Sequence, residues 1–184
     1  MIFDMQNLKD AYIEVHNHMI KSQHHIYLID IIYSRQIAMK IISERAKKQK
    51  IHLFYITSGD YSHARDRLKE TTSCFLDNKN NVVVSDILTS TKISRKFKNI
   101  NQIKRYIESF RPKIESNEDV EYLAIIDDFT KSTSRQSTKT YKYIKELIQY
   151  MDITLALEYP DTNSKTYTIE KLMVFGISIR VFKC

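Results

Sequence analysis

Asp127 and Asp128 close the apolar run Glu121–Asp128 (EYLAIIDD), and no other residues in this chain are better placed to do chemistry. Two carboxylates at the end of a buried strand can hold Mg²⁺ through oxygen ligands or orient a water. They can equally be structural, one capping the following turn while the other stays solvated. Four histidines, His16, His18, His24 and His25, lie close together but have no carboxylate or cysteine partner at ligand spacing. They read as surface or boundary residues rather than metal ligands.

A second chemistry is carried by positive charge. One cluster is Lys92, Arg95, Lys96 and Lys98, and the other is Lys131, Arg135, Lys139 and Lys142. Lysine and arginine in loops neutralise phosphates and release counterions, which gives salt-dependent, largely sequence-independent binding to DNA. Ser132, Thr133 and Ser134 add small hydrogen-bonding groups, and Phe97 and Tyr141 are placed to stack on exposed bases. The bland alternative is a solvated loop and an exposed helix face. Lys and Arg outnumber Asp and Glu by 29 to 22, a net charge of +7, which permits a polyanionic partner without demanding one.

The chemistry that is missing is as informative. The chain has two glycines, Gly59 and Gly176, so neither GxxxxGK[ST] nor GxGxxG can be written in it. A phosphate-cradling loop needs glycine so that backbone N–H groups converge on one anion. The expectation is a nucleotide-binding shape without the usual nucleotide pocket.

The elements that must position these residues alternate between helix and strand. Spacing predicts helices at 5–22, 35–48, 62–71, 101–110 and 141–150, and strands at 25–32, 51–57, 81–87, 121–128 and 153–157. Ser34 is placed to cap the second helix, residues 89–99 read as a polar, basic connection, and 130–138 as a loop. Thr166–Ile169 and Leu172–Phe182 are expected to form a terminal β-hairpin. Alternation of this kind argues for an α/β fold, a mostly parallel sheet covered by helices on both faces. Ligands in such sheets bind beyond the C-terminal strand ends, where Asp30–Tyr33, Thr57–Asp60, Asp127–Ser134 and Glu158–Asp161 would meet.

At 184 residues, 42% hydrophobic and 28% charged, the chain suits one globular domain. The expected division is an N-terminal helical segment, 1–24, followed by one α/β domain, 25–184. Cys74 and Cys184 support neither a metal site nor a disulfide framework, which favours a reducing compartment. The N-terminus has no secretory pattern, and no run approaches the roughly 20 apolar residues of a membrane span. The expectation is a soluble, intracellular protein, nuclear if eukaryotic.

The order of elements resembles the RecA-type ATPase core, especially the recombinase paralogues. HIYLIDIIYSRQIAMKII stands in the place of the Walker A strand, loop and helix, and IHLFYITSGDYSHARDRL resembles the second recombinase strand and its following helix. NINQIKRYIESF looks like the helix before the Walker B strand, EYLAIIDDF is similar to that strand, and TLALEYP matches the next. The resemblance puts Asp127 at the Mg²⁺-associated aspartate, while Ile32–Gln36 lacks every glycine and the Lys-Ser/Thr pair. It implies a pseudo-ATPase of the kind that includes Shu-complex subunits and non-catalytic Elongator subunits. Such a subunit would work in DNA repair by homologous recombination, binding DNA through loops and pairing with a paralogous subunit, with no cofactor.

LAIIDDFTKSTSRQS is also similar to the phosphoribosyltransferase signature, in which a loop after two acidic residues enfolds a ribose phosphate. That resemblance implies an enzyme using Asp127 and Asp128 around Mg²⁺ and a ribose-phosphate substrate. Here Ser132-Thr133 replaces the threonine–glycine turn, Lys131 replaces the catalytic aspartate, and a helix is expected at 101–110 in place of a hairpin and flexible loop. Twelve tyrosines and eight phenylalanines exceed what a small core needs, and Tyr12, Tyr33, Tyr61, Tyr106 and Tyr150 are candidates for contact with a partner.

Overall fold

The computed structural model describes residues 5–21, 26–30, 34–57, 60–75, 81–110, 120–127, 135–157 and 180–183. The elements among them are α1 (Met5–Lys21), β1 (Ile26–Asp30), α2 (Ser34–Ala46), β2 (Lys50–Thr57), α3 (Tyr61–Phe75) and β3 (Val82–Thr89). There follow α4 (Ser90–Lys96), α5 (Ile100–Glu108), β4 (Val120–Asp127), α6 (Arg135–Ile148), β5 (Ile153–Leu157) and β6 (Arg180–Lys183). The strands form one sheet in the order β3-β2-β4-β5-β1-β6, and each of its pairings is parallel.

Chirality decides where the helices lie. From β1 the chain moves to β2 and β3 in one direction along the sheet, then reverses from β3 to β4 and β5. Crossovers of one hand that travel in opposite directions must cross opposite faces. Accordingly α1, α2 and α3 pack on one face, where Val15, Ile37, Ile41 and Leu68 join Leu53, Leu123 and Leu155 in one cluster. The other face is covered by α4, α5 and α6, with Ile93, Phe97, Ile103, Ile107, Ile144 and Leu147 against Phe54, Ile56 and Ile126. β4 lies between, sending Leu123 and Ile125 to the first cluster and Tyr122, Ala124 and Ile126 to the second. A strand buried on both faces reads as a continuous apolar run, which is why EYLAIIDD is plain in the sequence.

Two expectations are corrected. The connection expected at 89–99 contains α4, begun by Thr89, whose side chain accepts the Lys92 N–H at 3.1 Å. Among the described side chains Ile93 and the C-cap Phe97, one turn apart, are the buried pair, and one such pair in a polar segment is too little periodicity to read. The loop expected at 130–138 gives way at Arg135 to α6, six residues before the expected helix start. RQSTKT carries no apolar residue, so its sequence gives no helical period, and the described buried residues of α6 are Tyr143, Ile144, Leu147 and Ile148. Of the expected terminal hairpin, Thr166–Ile169 lies outside the described residues, while β6 runs parallel to β1 with Tyr27 opposite Arg180.

One buried hydroxyl runs against the packing. Thr154 on β5 is fully buried, and its Oγ1 has no hydrogen-bond partner among the described residues. Such a group costs about 1–3 kcal/mol of desolvation. Thr154→Val keeps the shape and removes the hydroxyl, so urea unfolding is expected to show a gain of about 1 kcal/mol at unchanged m value. A loss of stability in that experiment would mean that the hydroxyl is bonded after all.

Candidate functional site

Parallel pairing brings the C-terminal strand ends to one edge, with Thr57 opposite Asp127 and Asp127 opposite Leu157. Asp127 follows Leu123 and Ile125 in the alternation of β4 and so points to the face of α2 and α3. It is 0% exposed. Arg35, in the first turn of α2, donates from Nη2 to both carboxylate oxygens at 3.4 and 3.3 Å. Arg67, from the second turn of α3, places Nη1 3.8 Å from Oδ2. Tyr55, on the same face of β2, donates its hydroxyl to Oδ2. Burial and the Asp127 charge push the Tyr55 phenol above its ordinary range, so it stays a donor at any physiological pH.

The site is therefore one buried carboxylate held by two guanidiniums and a phenol. Its counterpart lies at the other end of β4, where Arg45 reaches Glu121 at 2.5 Å and the Gln49 side chain donates to the same carboxylate. Arg35 and Arg45 stand near opposite ends of α2, and Asp127 and Glu121 near opposite ends of β4. Two ion pairs thus fix how far along the strand the helix sits. Buried charges need such pairing, because an unpaired one in a low-dielectric interior is costly.

Of the candidate metal pair, Asp127 is the described member, and Asp128 lies outside the described residues. Among the described residues no group of three or more His, Cys, Asp or Glu side chains gathers as a cation cage. Asp127 has guanidinium nitrogens on both oxygens, so its charge is already balanced by the protein.

The basic residues are arranged less simply than in the sequence. Lys92 Nζ lies 2.6 Å from Asp86 Oδ1, and Lys96 Nζ 3.5 Å from Oδ2. The Tyr106 hydroxyl donates to the same carboxylate, and the Lys96 ammonium sits 3.7 Å from the Tyr106 ring centroid. Arg95 is exposed. Thr89, Lys92, Arg95 and Lys96 line an open depression of about 550 Å³. Of the second cluster, Lys131 lies outside the described residues, Arg135 and Lys139 fall in α6, and Lys142 is exposed there. The spacing 135, 139, 142 puts these three positions on the side of α6 away from its buried residues Ile144 and Leu147.

Tertiary packing joins what the sequence separates. α4 packs against α6, with Phe97 and Tyr143 ring centroids 6.5 Å apart and the Tyr143 hydroxyl donating to the Lys98 carbonyl at 2.9 Å. The described members of the two basic clusters therefore lie on, or just beyond the end of, neighbouring helices on one face of the sheet. Phe97, expected to stack on bases, is instead 2% exposed and packs edge-on to Tyr106 at 5.3 Å. Tyr106 is likewise committed internally through its bond to Asp86, whereas Tyr61 is exposed. Spacing and residue type alone do not single out Arg35, Arg67, Tyr55 or Asp86 as site residues. Arg35 carries a visible signal, a lone cation at the position where the resemblance requires the Lys-Ser/Thr pair.

The Asp86 cluster has a pH signature. Burial opposes ionisation of Asp86, but the Lys92 and Tyr106 hydrogen bonds and the lysine charges outweigh it and hold its carboxyl below the usual range. A depressed carboxyl stabilises the fold above its unfolded pKa, about 3.9, and that stability is lost as pH falls through the folded value. Acid unfolding followed by circular dichroism is expected to be less steep in Asp86→Asn below about pH 4. An identical acid limb would show that the cluster adds nothing to stability.

No family model and no curated protein matches the chain. Among solved structures it is similar to the cytoplasmic domain of the type VII secretion ATPase EccC from Thermomonospora curvata, at 13% identity over 88% of this chain and a TM-score of 0.41. The chain spans 19% of that protein's length. It is also similar to a chain in the structure of Drosophila ORC bound to DNA, at 14% identity over 98% of this chain and 90% of that one, with a TM-score of 0.46. Both scores lie below 0.5, and neither likeness assigns a role to any residue of this chain. Among the described residues no helix is long and apolar enough to cross a membrane.

Proposed function

We propose that this chain is a non-catalytic α/β subunit of a DNA-handling complex, of the degenerate recombinase-paralogue type that its order of elements resembles. The observation that carries the reading is the Arg35–Asp127 pair. In that resemblance Asp127 stands at the Mg²⁺-associated aspartate, and Ile32–Gln36 stands where a phosphate loop would be. Arg35, from the start of the following helix, supplies the carboxylate with the positive charge that a metal would bring. Arg67 adds a second cation within 4 Å, and like-charge repulsion disfavours a divalent ion there. The fold then holds its active-site geometry without nucleotide, and the chain acts through its surfaces.

The DNA part of the reading is supported by α4 and α6. Lys92, Arg95 and Lys96 on one, and Arg135, Lys139 and Lys142 on the other, form a cationic face suited to phosphates. With Phe97 buried, base stacking contributes less and phosphate contact more, which favours sequence-independent binding. A paralogous subunit of a recombination or repair complex would dock at a sheet edge or on α1, beside exposed aromatics such as Tyr61.

Fluorescence anisotropy with single- and double-stranded DNA at two salt concentrations tests this, with thermal shifts in ATP–Mg²⁺ and phosphoribosyl pyrophosphate–Mg²⁺ alongside. The expected result is salt-sensitive DNA binding without a shift from either small ligand. A phosphoribosyl pyrophosphate shift without DNA binding would replace the reading with an enzyme acting on a ribose phosphate around Asp127 and Asp128.

A further inference from the structure

β3 carries an irregularity just before Asp86. Leu53 pairs with Val84 and Phe54 with Asp86, so Ser85 is an extra residue in the strand. Had Ser85 instead paired with Phe54 in an unshifted register, Asp86 would stand opposite Tyr55, on the face of α2 and α3 where Asp127 lies. The bulge turns it to the other face, beside Phe54, under α4 and α5. Re-aiming one side chain is a characteristic use of a bulge. The side chain re-aimed here is an acid, and it is delivered to the two lysines that line the depression beside α4.

We infer that the depression bounded by Thr89, Lys92, Arg95 and Lys96 is a phosphodiester-binding site whose resting anion is the Asp86 carboxylate. The inference rests on the DNA reading above and specifies how the α4 part of that face works. Carboxylate and phosphate oxygens are both charge-assisted acceptors for an ammonium group, so they compete for Lys92 and Lys96. The Asp86 side chain is 17% exposed and tied to Tyr106, whereas the lysine side chains are 38% and 36% exposed. The lysines are thus the more exposed partners, reachable by a phosphate from solvent, and the acid lies beneath them. Arg95 is exposed on the rim of the depression, which makes it the first contact for an arriving phosphate. Asp86 then restrains affinity twice, by holding the lysines and by repelling the phosphate that replaces it. Lys92 and Lys96 released from Asp86 become counterion-releasing contacts, and on a single strand each such contact adds about 0.7 to the salt slope.

The test uses the full chain and a fluorescein-labelled oligothymidylate, read by anisotropy across a salt series. Asp86→Asn is expected to bind about threefold to tenfold more tightly at low salt, with a slope steeper by up to about 1.4 for the two lysines. Asp86→Ser, which removes the carboxylate differently, is expected to do the same, and circular dichroism melts establish that both variants fold. Adding Lys92→Gln and Lys96→Gln to Asp86→Asn is expected to cancel the gain. Folded Asp86 variants that bind equally or more weakly, while reversal of Arg135, Lys139 and Lys142 still weakens binding, would overturn the inference and leave the DNA reading standing. Absence of binding by the unaltered chain and all variants would remove both.

Discussion

Asp127→Ala is expected to be about 3–5 kcal/mol less stable than the unaltered protein and to melt about 10 °C lower. The carboxylate is wholly buried, and its removal leaves the Arg35 and Arg67 guanidiniums and the Tyr55 hydroxyl facing an empty space of low dielectric. Asp127→Asn keeps the volume and an acceptor oxygen but loses the charge, so its loss should be smaller. Replacing both partners, Asp127→Leu with Arg35→Met, is expected to recover much of the stability, because well-packed apolar groups often match a buried ion pair. These variants separate a structural carboxylate from a catalytic one. An Asp127→Ala protein of unaltered stability, with a divalent cation stabilising only the unaltered chain, would show that the aspartate is kept for a metal.

Reversing Arg135, Lys139 and Lys142 to glutamate together is expected to lower DNA affinity by about two orders of magnitude at low salt and to flatten the salt slope by about two to three. Sequence preference should not change, because phosphate contacts carry no base information. A matched variant, with Lys9, Lys48 and Arg65 reversed, alters net charge equally on exposed positions of α1, α3 and the turn after α2. It lies on the opposite face of the sheet and is expected to lose much less. Equal losses in the two variants would reduce the effect to overall charge and remove α6 as an interface.

Most of the architecture is legible in the residues because both of its periods are strong. The buried strands IHLFYIT, EYLAIID and ITLAL are apolar almost throughout, and α5 places Ile103 and Ile107 four apart behind an Asn99 cap. α4 and the first half of α6 are not legible, because a helix that takes its stability from neighbours needs little periodicity of its own. The same reason hides the role of Phe97. An aromatic between lysines reads as a surface residue until Tyr106 and Tyr143 are seen against it.

By itself the sequence determined that the usual phosphate loop has no glycines to build it, that an acid ends the central strand, and that the charge is basic and clustered. Those are properties of residue type and spacing, and they do not depend on what lies nearby. Tertiary structure alone decided what each charge faces. Asp127 and Arg35 are 92 residues apart, and Tyr55 lies 72 residues before its carboxylate. Parallel pairing and the strand order bring them together. The bulge at Ser85 then sends Asp86 away from that cluster and toward the lysines of α4. A formal charge of +7 is a sum over the chain, whereas binding depends on which of those charges the fold has already neutralised.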